Sequence, residues 1–75
     1  MFYYTYVLQS INDNKLYSGW TDDLRARIKK HNRGLVLATK NRRPLHLVYY
    51  ETCRSKTKAL QREKYFKTGF GRRFL

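Results

Sequence analysis

Acidic residues are scarce in this 75-residue chain, with five set against 17 lysines and arginines. Cysteine is scarcer still, Cys53 standing alone, and long apolar runs are missing altogether. A lone cysteine excludes an intramolecular disulfide, so stability has to come from packing and a reducing compartment is the natural setting. Cys53 itself reads as a small, partly buried side chain, because neither histidine stands in a sequence relation to it that suggests a catalytic dyad. No apolar stretch approaches the ~18 residues of a membrane span. The N-terminal MFYYTYVLQ has neither the charged region nor the cleavage pattern of a signal peptide. A cytoplasmic protein is expected, one that needs no membrane and no disulfide-linked partner.

A chain this short buries roughly 60% of the surface its unfolded state exposes, which limits it to one small core and one domain over residues 1–75. Seven tyrosines, four phenylalanines and one tryptophan supply enough apolar surface for a compact globule rather than a disordered tail. The net charge of +12 attracts polyanions over distances of order the ~8 Å Debye length. Nucleic acid, DNA foremost, is the leading partner. An anionic membrane is the competing class, and a weaker one, because the basic residues interleave with strand-forming aromatics instead of lying opposite a continuous apolar helix face.

Residues 2–9, FYYTYVLQ, are β-branched and aromatic, and the turn cluster SINDN leads into a second short strand, LYSGW at 16–20. Thr21 is placed to cap a helix with Asp22 and Asp23 in its first turn, running to about Asn32 before Gly34 ends it. A basic loop over 33–44 closes at Pro44. LHLVYYE at 45–51 reads as a third strand, and Ser55 can cap a second helix that runs to about Lys67 and stops at Gly69. The expected fold is α+β, a small three-stranded antiparallel sheet flanked by helices in the order ββαβα, followed by a tail, FGRRFL, whose aromatics pack back while Arg72 and Arg73 stay solvated.

Polar residues interrupt both apolar stripes. Positions 24, 27, 28 and 31 share one face of the first helix, so Arg27 and His31 lie beside Leu24 and Ile28. Burying an arginine there is costly unless it is paired or borders a cleft, a departure from patterning of the kind expected at a functional site. The plain alternative is that Arg27 snorkels outward and His31 is a satisfied histidine or helix-end cation. On the second helix Glu63 sits among Ala59, Leu60 and Phe66, with an i,i+4 pair to Lys67 as its structural explanation. Asp13 belongs to a turn, Asp22 and Asp23 to a helix start and Glu51 to a strand end. If the chain holds a hard divalent cation through a protein oxygen, Glu63 is therefore the best candidate, since one carboxylate with waters and substrate phosphate suits Mg²⁺. A hairpin centred between Asn12 and Asp13 sets Tyr6 opposite Gly19 and Leu8 opposite Tyr17. All four then share a face, Gly19 leaves room beside Tyr6, and the two tyrosines are diagonal neighbours.

In this order and spacing the residues resemble the GIY-YIG nuclease domain, particularly its small stand-alone members. Tyr4-Thr5-Tyr6 stands in the place of the first tripeptide and Tyr17-Ser18-Gly19 in that of the second. GWTDDLRARIKKHNRG looks like the family's following segment, and LVYYE and the helix with Ala59 and Glu63 also match. The resemblance implies that Tyr6 is a general base or orients the attacking water, assisted by Tyr17. Arg27 would stabilise charge on the scissile phosphate, His31 would support proton transfer or phosphate binding, and Glu63 would hold the metal, Mg²⁺ or Mn²⁺. The first tripeptide departs at Tyr4 and Thr5 and the second at Ser18, positions that are mainly structural.

A metal-dependent endonuclease hydrolysing phosphodiester bonds in DNA, at branched or damaged structures or with little sequence preference, is the leading expectation, with a DNA-repair setting attached to it. The alternatives are a nucleic-acid-binding module of the same fold without useful catalysis and a small basic accessory protein of an RNA assembly. Lys40, Arg42 and Arg43, on the loop before Pro44, are the candidate phosphate contacts, against a merely solvated basic loop. Neutralising ~5 phosphates would give a log–log salt slope near ~−4.5 on duplex DNA.

Overall fold

The computed structural model describes residues 1–68 and carries the expected order of elements. These are β1 (Tyr3–Ser10), β2 (Leu16–Thr21), α1 (Leu24–Asn32), β3 (Leu45–Cys53) and α2 (Lys56–Phe66). Gly69 and the FGRRFL tail, with the packing expected of them, lie outside the described residues.

The sheet is antiparallel in the order β2-β1-β3, so the aromatic and β-branched β1 is central, and its Tyr6, Val7 and Leu8 are three of the seven buried apolar residues among those described. The hairpin register is the expected one, with Tyr6 opposite Gly19 and Leu8 opposite Tyr17. Its turn closes on Ser10, whose carbonyl accepts from Asn14 N–H at 2.9 Å, and Asn14 takes the left-handed φ of 59° that asparagine tolerates better than most side chains. Between β1 and β3 the register slips at Val7/Leu8, leaving Val48 as an extra residue. This bulge changes which side chains share a face. Leu45, Leu47 and Tyr50 all pair with residues on the Tyr6 and Leu8 side of β1, whereas unbroken alternation from Leu47 would turn Tyr50 to the other side.

The two helices cover opposite faces. On one, Leu24 and Ile28 of α1 join Tyr17, Leu45 and Leu47 around Tyr6 and Leu8. On the other, α2 is fastened at three places. Thr5 Oγ1 donates to the Ala59 carbonyl at 2.9 Å, the Tyr49 and Phe66 rings meet edge-on at 5.6 Å, and Arg62 donates Nε and Nη2 to the two carboxylate oxygens of Glu51 at 2.7 and 3.0 Å. Glu51 thus lies inside β3 rather than at its end, and the forked hydrogen bond from Arg62 holds its carboxyl below the usual carboxylate range. Both partners are partly exposed, so the pair contributes at most about 1 kcal/mol and mainly sets orientation.

Helix α1 crosses its face diagonally. It starts beyond the Thr21 end of β2, and it finishes where Asn32 forks onto the first residue of β3, donating Nδ2 to Leu45 O at 2.9 Å and accepting Leu45 N–H on Oδ1 at 2.8 Å. Two corners of the face are left beside it, one along β2 and one along β3. The cap expected at Thr21 is Asp23 instead, whose Oδ1 accepts Ala26 N–H at 3.2 Å. Strand β2 runs through Thr21, and its hydroxyl accepts Asp23 N–H at 3.1 Å, so the two aspartates precede the first turn rather than occupy it. At the other end Gly34, at φ 76°, allows its N–H and that of Leu35 to close on His31 O and Lys30 O, a Schellman stop. Ser55 caps α2 as expected, accepting from Lys58 N–H. The 33–44 loop is more structured than a solvated basic loop, with a short 3-10 turn at Lys40–Arg42 and with Val36 and Thr39 buried against the body.

Asp23→Ala is expected to lower unfolding stability by about 1 kcal/mol, read as a shifted urea midpoint with unchanged m, while Asp22→Ala leaves the midpoint nearly in place. A larger loss at Asp22 would put the cap one residue earlier.

Candidate active site

Tyr6 is at the centre. Its ring lies across Gly19, its partner on the edge strand, so closely that a Cβ at position 19 would sit 2.6 Å from Tyr6 Cζ and against the hydroxyl itself. Any side chain there must displace the phenol. The glycine is therefore required by close approach, as the register had suggested.

The Tyr6 hydroxyl meets His31 Nε2 at 2.8 Å and accepts from Arg27 Nε at 3.3 Å. Both anomalous residues of the α1 stripe thus converge on one oxygen. On its far side His31 Nδ1 meets Thr39 Oγ1 at 2.7 Å, and Tyr6, His31 and Thr39 are all fully buried. Arg27 can only donate, which takes one lone pair of the phenol. The Tyr6–His31 bond then runs in one sense or the other with the imidazole tautomer, which Thr39 shares in setting. Burial, reinforced by the Arg27 charge, pushes the His31 pKa down to about 4. The imidazole is neutral at physiological pH and acts as a hydrogen-bonding partner of the phenol rather than as a cation for phosphate. Burial also raises the Tyr6 pKa above its ordinary value. The Arg27 hydrogen bond and charge oppose this, while electrostatic interaction with Tyr17 and Glu63 adds to it.

Tyr17 lies beside this cluster, its ring edge-on to His31 at 5.2 Å between centroids. Glu63 comes from α2, on the other face of the sheet, and reaches the cluster around the β2 edge. One turn along, Lys67 Nζ stands 5.6 Å from the centre of the Tyr17 ring and 4.0 Å from Glu63 Oε2. With Leu16, Tyr17, Ser18 and Phe66, Lys67 lines a cavity of about 270 Å³ at that edge. The expected i,i+4 pair exists, but at 4.0 Å it is long, and Glu63 keeps about a fifth of its side chain exposed. Among the described residues no group of three His, Cys, Asp or Glu side chains could hold a metal ion together. A closed four-ligand zinc site does not fit this set, whereas a magnesium-type ion held by one carboxylate, waters and substrate phosphate does.

The three loop cations separate. Lys40 and Arg43 line a shallow depression with Asn32, Asn41 and Pro44, and Arg43 folds back to donate Nε to Lys40 O at 2.9 Å. Arg42 turns the other way. It pairs with Asp13 at 3.5 Å and donates Nη2 to Leu16 O at 3.4 Å, which ties the loop to the hairpin and gives it a structural role.

The family model for the GIY-YIG catalytic domain matches residues 2–74. The chain belongs to the GIY-YIG family. UPF0213 proteins of Staphylococcus aureus, strains COL and Mu50 among them, are 45% identical over 67 residues, a stretch that covers 88% of this chain and 80% of theirs. The solution NMR structure of the UPF0213 protein from Bacillus halodurans is similar at a TM-score of 0.60 and 32% identity, covering 99% of this chain and 81% of that one. As the hairpin register implied, both tripeptide tyrosines lie on adjacent strands of one face, and Arg27 and His31 of α1 meet Tyr6 there. Thr39 was not anticipated, because a single threonine in a basic loop carries no periodicity or spacing that marks it. Lys67 entered only as a partner for Glu63, and its approach to Tyr17 depends on how α2 wraps the sheet edge.

Two measurements check this GIY-YIG cluster. His31 is charged only when protonated and its folded pKa lies below its unfolded 6.5, so its stabilising contribution is complete above pH 6.5 and is lost as the pH falls toward 4. The loss is expected to be of order 3 kcal/mol in denaturant titrations, and His31→Gln should flatten that limb of the profile. Gly19→Ala should cost about 1–3 kcal/mol and shift the imidazole resonances of His31, whereas unchanged resonances would mean that Tyr6 does not lie over position 19.

Proposed function

We propose that this protein is a divalent-metal-dependent endonuclease that hydrolyses phosphodiester bonds in DNA. The observation that carries this reading is the convergence of Arg27 and His31 on the Tyr6 hydroxyl, with Glu63 close enough for its charge to act on the same oxygen. Membership of a nuclease family and a net charge of +12 support it.

Glu63, accessible at the β2 edge, is the residue that would hold Mg²⁺ or Mn²⁺. Bound there, the cation would supply Lewis acidity toward a phosphate oxygen and cancel the negative charge that Glu63 contributes near Tyr6. The chain's own groups do the rest. Tyr6 starts as a neutral phenol with a raised pKa, so its first role is to orient the attacking water, and its acidity rises as the surrounding positive charge grows. Neutral His31 holds the phenol in place and exchanges a hydrogen bond with it. Arg27, half-buried, spends one donor on Tyr6 and directs its positive charge at the phosphate as the water oxygen bonds to phosphorus and the bond to the departing sugar oxygen breaks, the water's proton ending on that oxygen as a hydroxyl. Lys67 beside Tyr17 and Glu63 adds a second cation at the rim.

One observation favours the other reading, a nucleic-acid-binding module without useful turnover: Tyr6 and His31 are fully buried, so substrate reaches the phenol only if the rim opens. A nicking assay on supercoiled, linear and branched DNA separates the two. Wild type is expected to nick with Mg²⁺ or Mn²⁺ and not with EDTA. Glu63→Ala and Arg27→Ala should fall by about 100-fold or more while binding in EDTA stays within a few-fold of wild type. An unaffected rate in Glu63→Ala would sink the metal-ligand role, and binding without nicking on every substrate would leave the binding module.

A further inference from the structure

The β3 corner left by the diagonal path of α1 is a cleft of about 440 Å³, lined by Tyr4, Asp22, Leu24, Arg25, Leu47 and Tyr50 among others. That is within the ~300–1,000 Å³ range of small-ligand sites. The Tyr6 cluster does not use it, yet the two share a face. Tyr50 is directly opposite Tyr6 on β3, and Tyr4 lies two residues before Tyr6 on β1. The bulge at Val48 is what brings Tyr50 to this side.

Three features define what fits. First, the walls are aromatic and aliphatic, and the Tyr4 and Tyr50 rings stand 6.3 Å apart at a tilt of 54°, inclined to each other rather than stacked face to face. Tyr50 is 51% exposed, a large flat surface left open beside leucines. Second, the rim carries Asp22 and Asp23, two of the five acids in a chain of net charge +12. With these two carboxylates against one cation, Arg25, the cleft is less basic than the chain as a whole and favours a neutral group over a phosphate. Third, Asp23 spends an oxygen on its helix cap, while Asp22 precedes the helix on an exposed residue and supplies an acceptor beside the aromatic wall. A flat, uncharged, π-faced group with N–H donors at its edge satisfies all three, and in a polyanionic partner that group is a nucleobase.

We propose that this cleft takes one unpaired nucleobase, stacked on Tyr50 with its amino edge toward Asp22, from the same strand that the Tyr6 cluster engages. The inference rests on the nucleic-acid reading given above and extends it to a substrate class. A base enters the cleft only when it is outside a duplex stack, so the preferred partners are overhangs, gaps, flaps and single strands rather than continuous duplex. Stacking tolerates any base, which gives structural preference without sequence readout.

The test is equilibrium binding in EDTA, where no turnover is needed. The probes are a short DNA duplex with a single-stranded overhang containing one 2-aminopurine, the same overhang made abasic at that position, and a blunt duplex. Wild type is expected to quench the 2-aminopurine and to bind the base-bearing overhang about 5- to 100-fold more tightly than the abasic one. Tyr50→Ala should abolish that difference and leave blunt-duplex affinity and its salt slope within twofold, and Tyr50→Phe should restore the difference. Equal affinity of wild type for base-bearing and abasic overhangs, or a Tyr50→Ala loss shared equally by blunt duplex, overturns the subsite while leaving the endonuclease reading to the nicking assay. Failure of all three DNAs to bind overturns both.

Discussion

The hydrogen bond between Tyr6 and His31 is the interaction on which the rest of this small fold depends. It joins the centre of the sheet to the last turn of α1 across 25 residues of sequence, inside a core too small to leave a polar group unsatisfied without cost. For it to form, Gly19 must have no side chain, α1 must cross its face obliquely, and the loop after α1 must return to give Thr39 to the other imidazole nitrogen. A hydrophobic pair would hold the same elements together with less demand on geometry. The polar connection costs adaptability and gives in return one oxygen, surrounded by an arginine, a neutral histidine and a nearby carboxylate.

The scarcity of acids gives their placement meaning. Asp13 closes the hairpin and meets Arg42, Asp23 caps α1, and Glu51 is forked by Arg62. What remains is one carboxylate at each corner that α1 leaves beside it, Glu63 near the phenol and Asp22 by the aromatic cleft. In a field so positive, a carboxylate is the cheapest way to give a spot a different chemical preference. One corner would take a cation and the scissile phosphate, the other a base, and the obliquity of a nine-residue helix separates them.

Much of this was legible in the sequence because it follows from period and pairing. A two-residue alternation and a turn of known length fix Tyr6 against Gly19, and a 3.6-residue period fixes Arg27 and His31 on the face of Leu24. Other features depend on competition that local rules do not resolve. Thr21 and Asp23 can both cap a helix, and Asp23 does so because Thr21 is still part of β2, paired with Tyr4 of β1. Arg42 and Arg43 are neighbours of the same type, yet a 3-10 turn sends one inward to Asp13 and the other outward. The Val48 bulge has no signature in LHLVYYE, although it decides which face Tyr50 occupies. Thr39 is legible only after the loop has folded.

The position of Thr39 has a thermodynamic corollary. Its hydroxyl is the one group from the 33–44 loop bonded to the imidazole, and Lys40, next in sequence, borders the outer depression. Loop position and imidazole tautomer are therefore linked variables. A polyanion gathered by Lys40 and Arg43 would change the proton's preference between Nδ1 and Nε2 by whatever it does to the loop, and a phenol fixed against Nε2 would return the same free energy to the loop. The tautomer of the histidine and the position of the loop are, in that sense, set together.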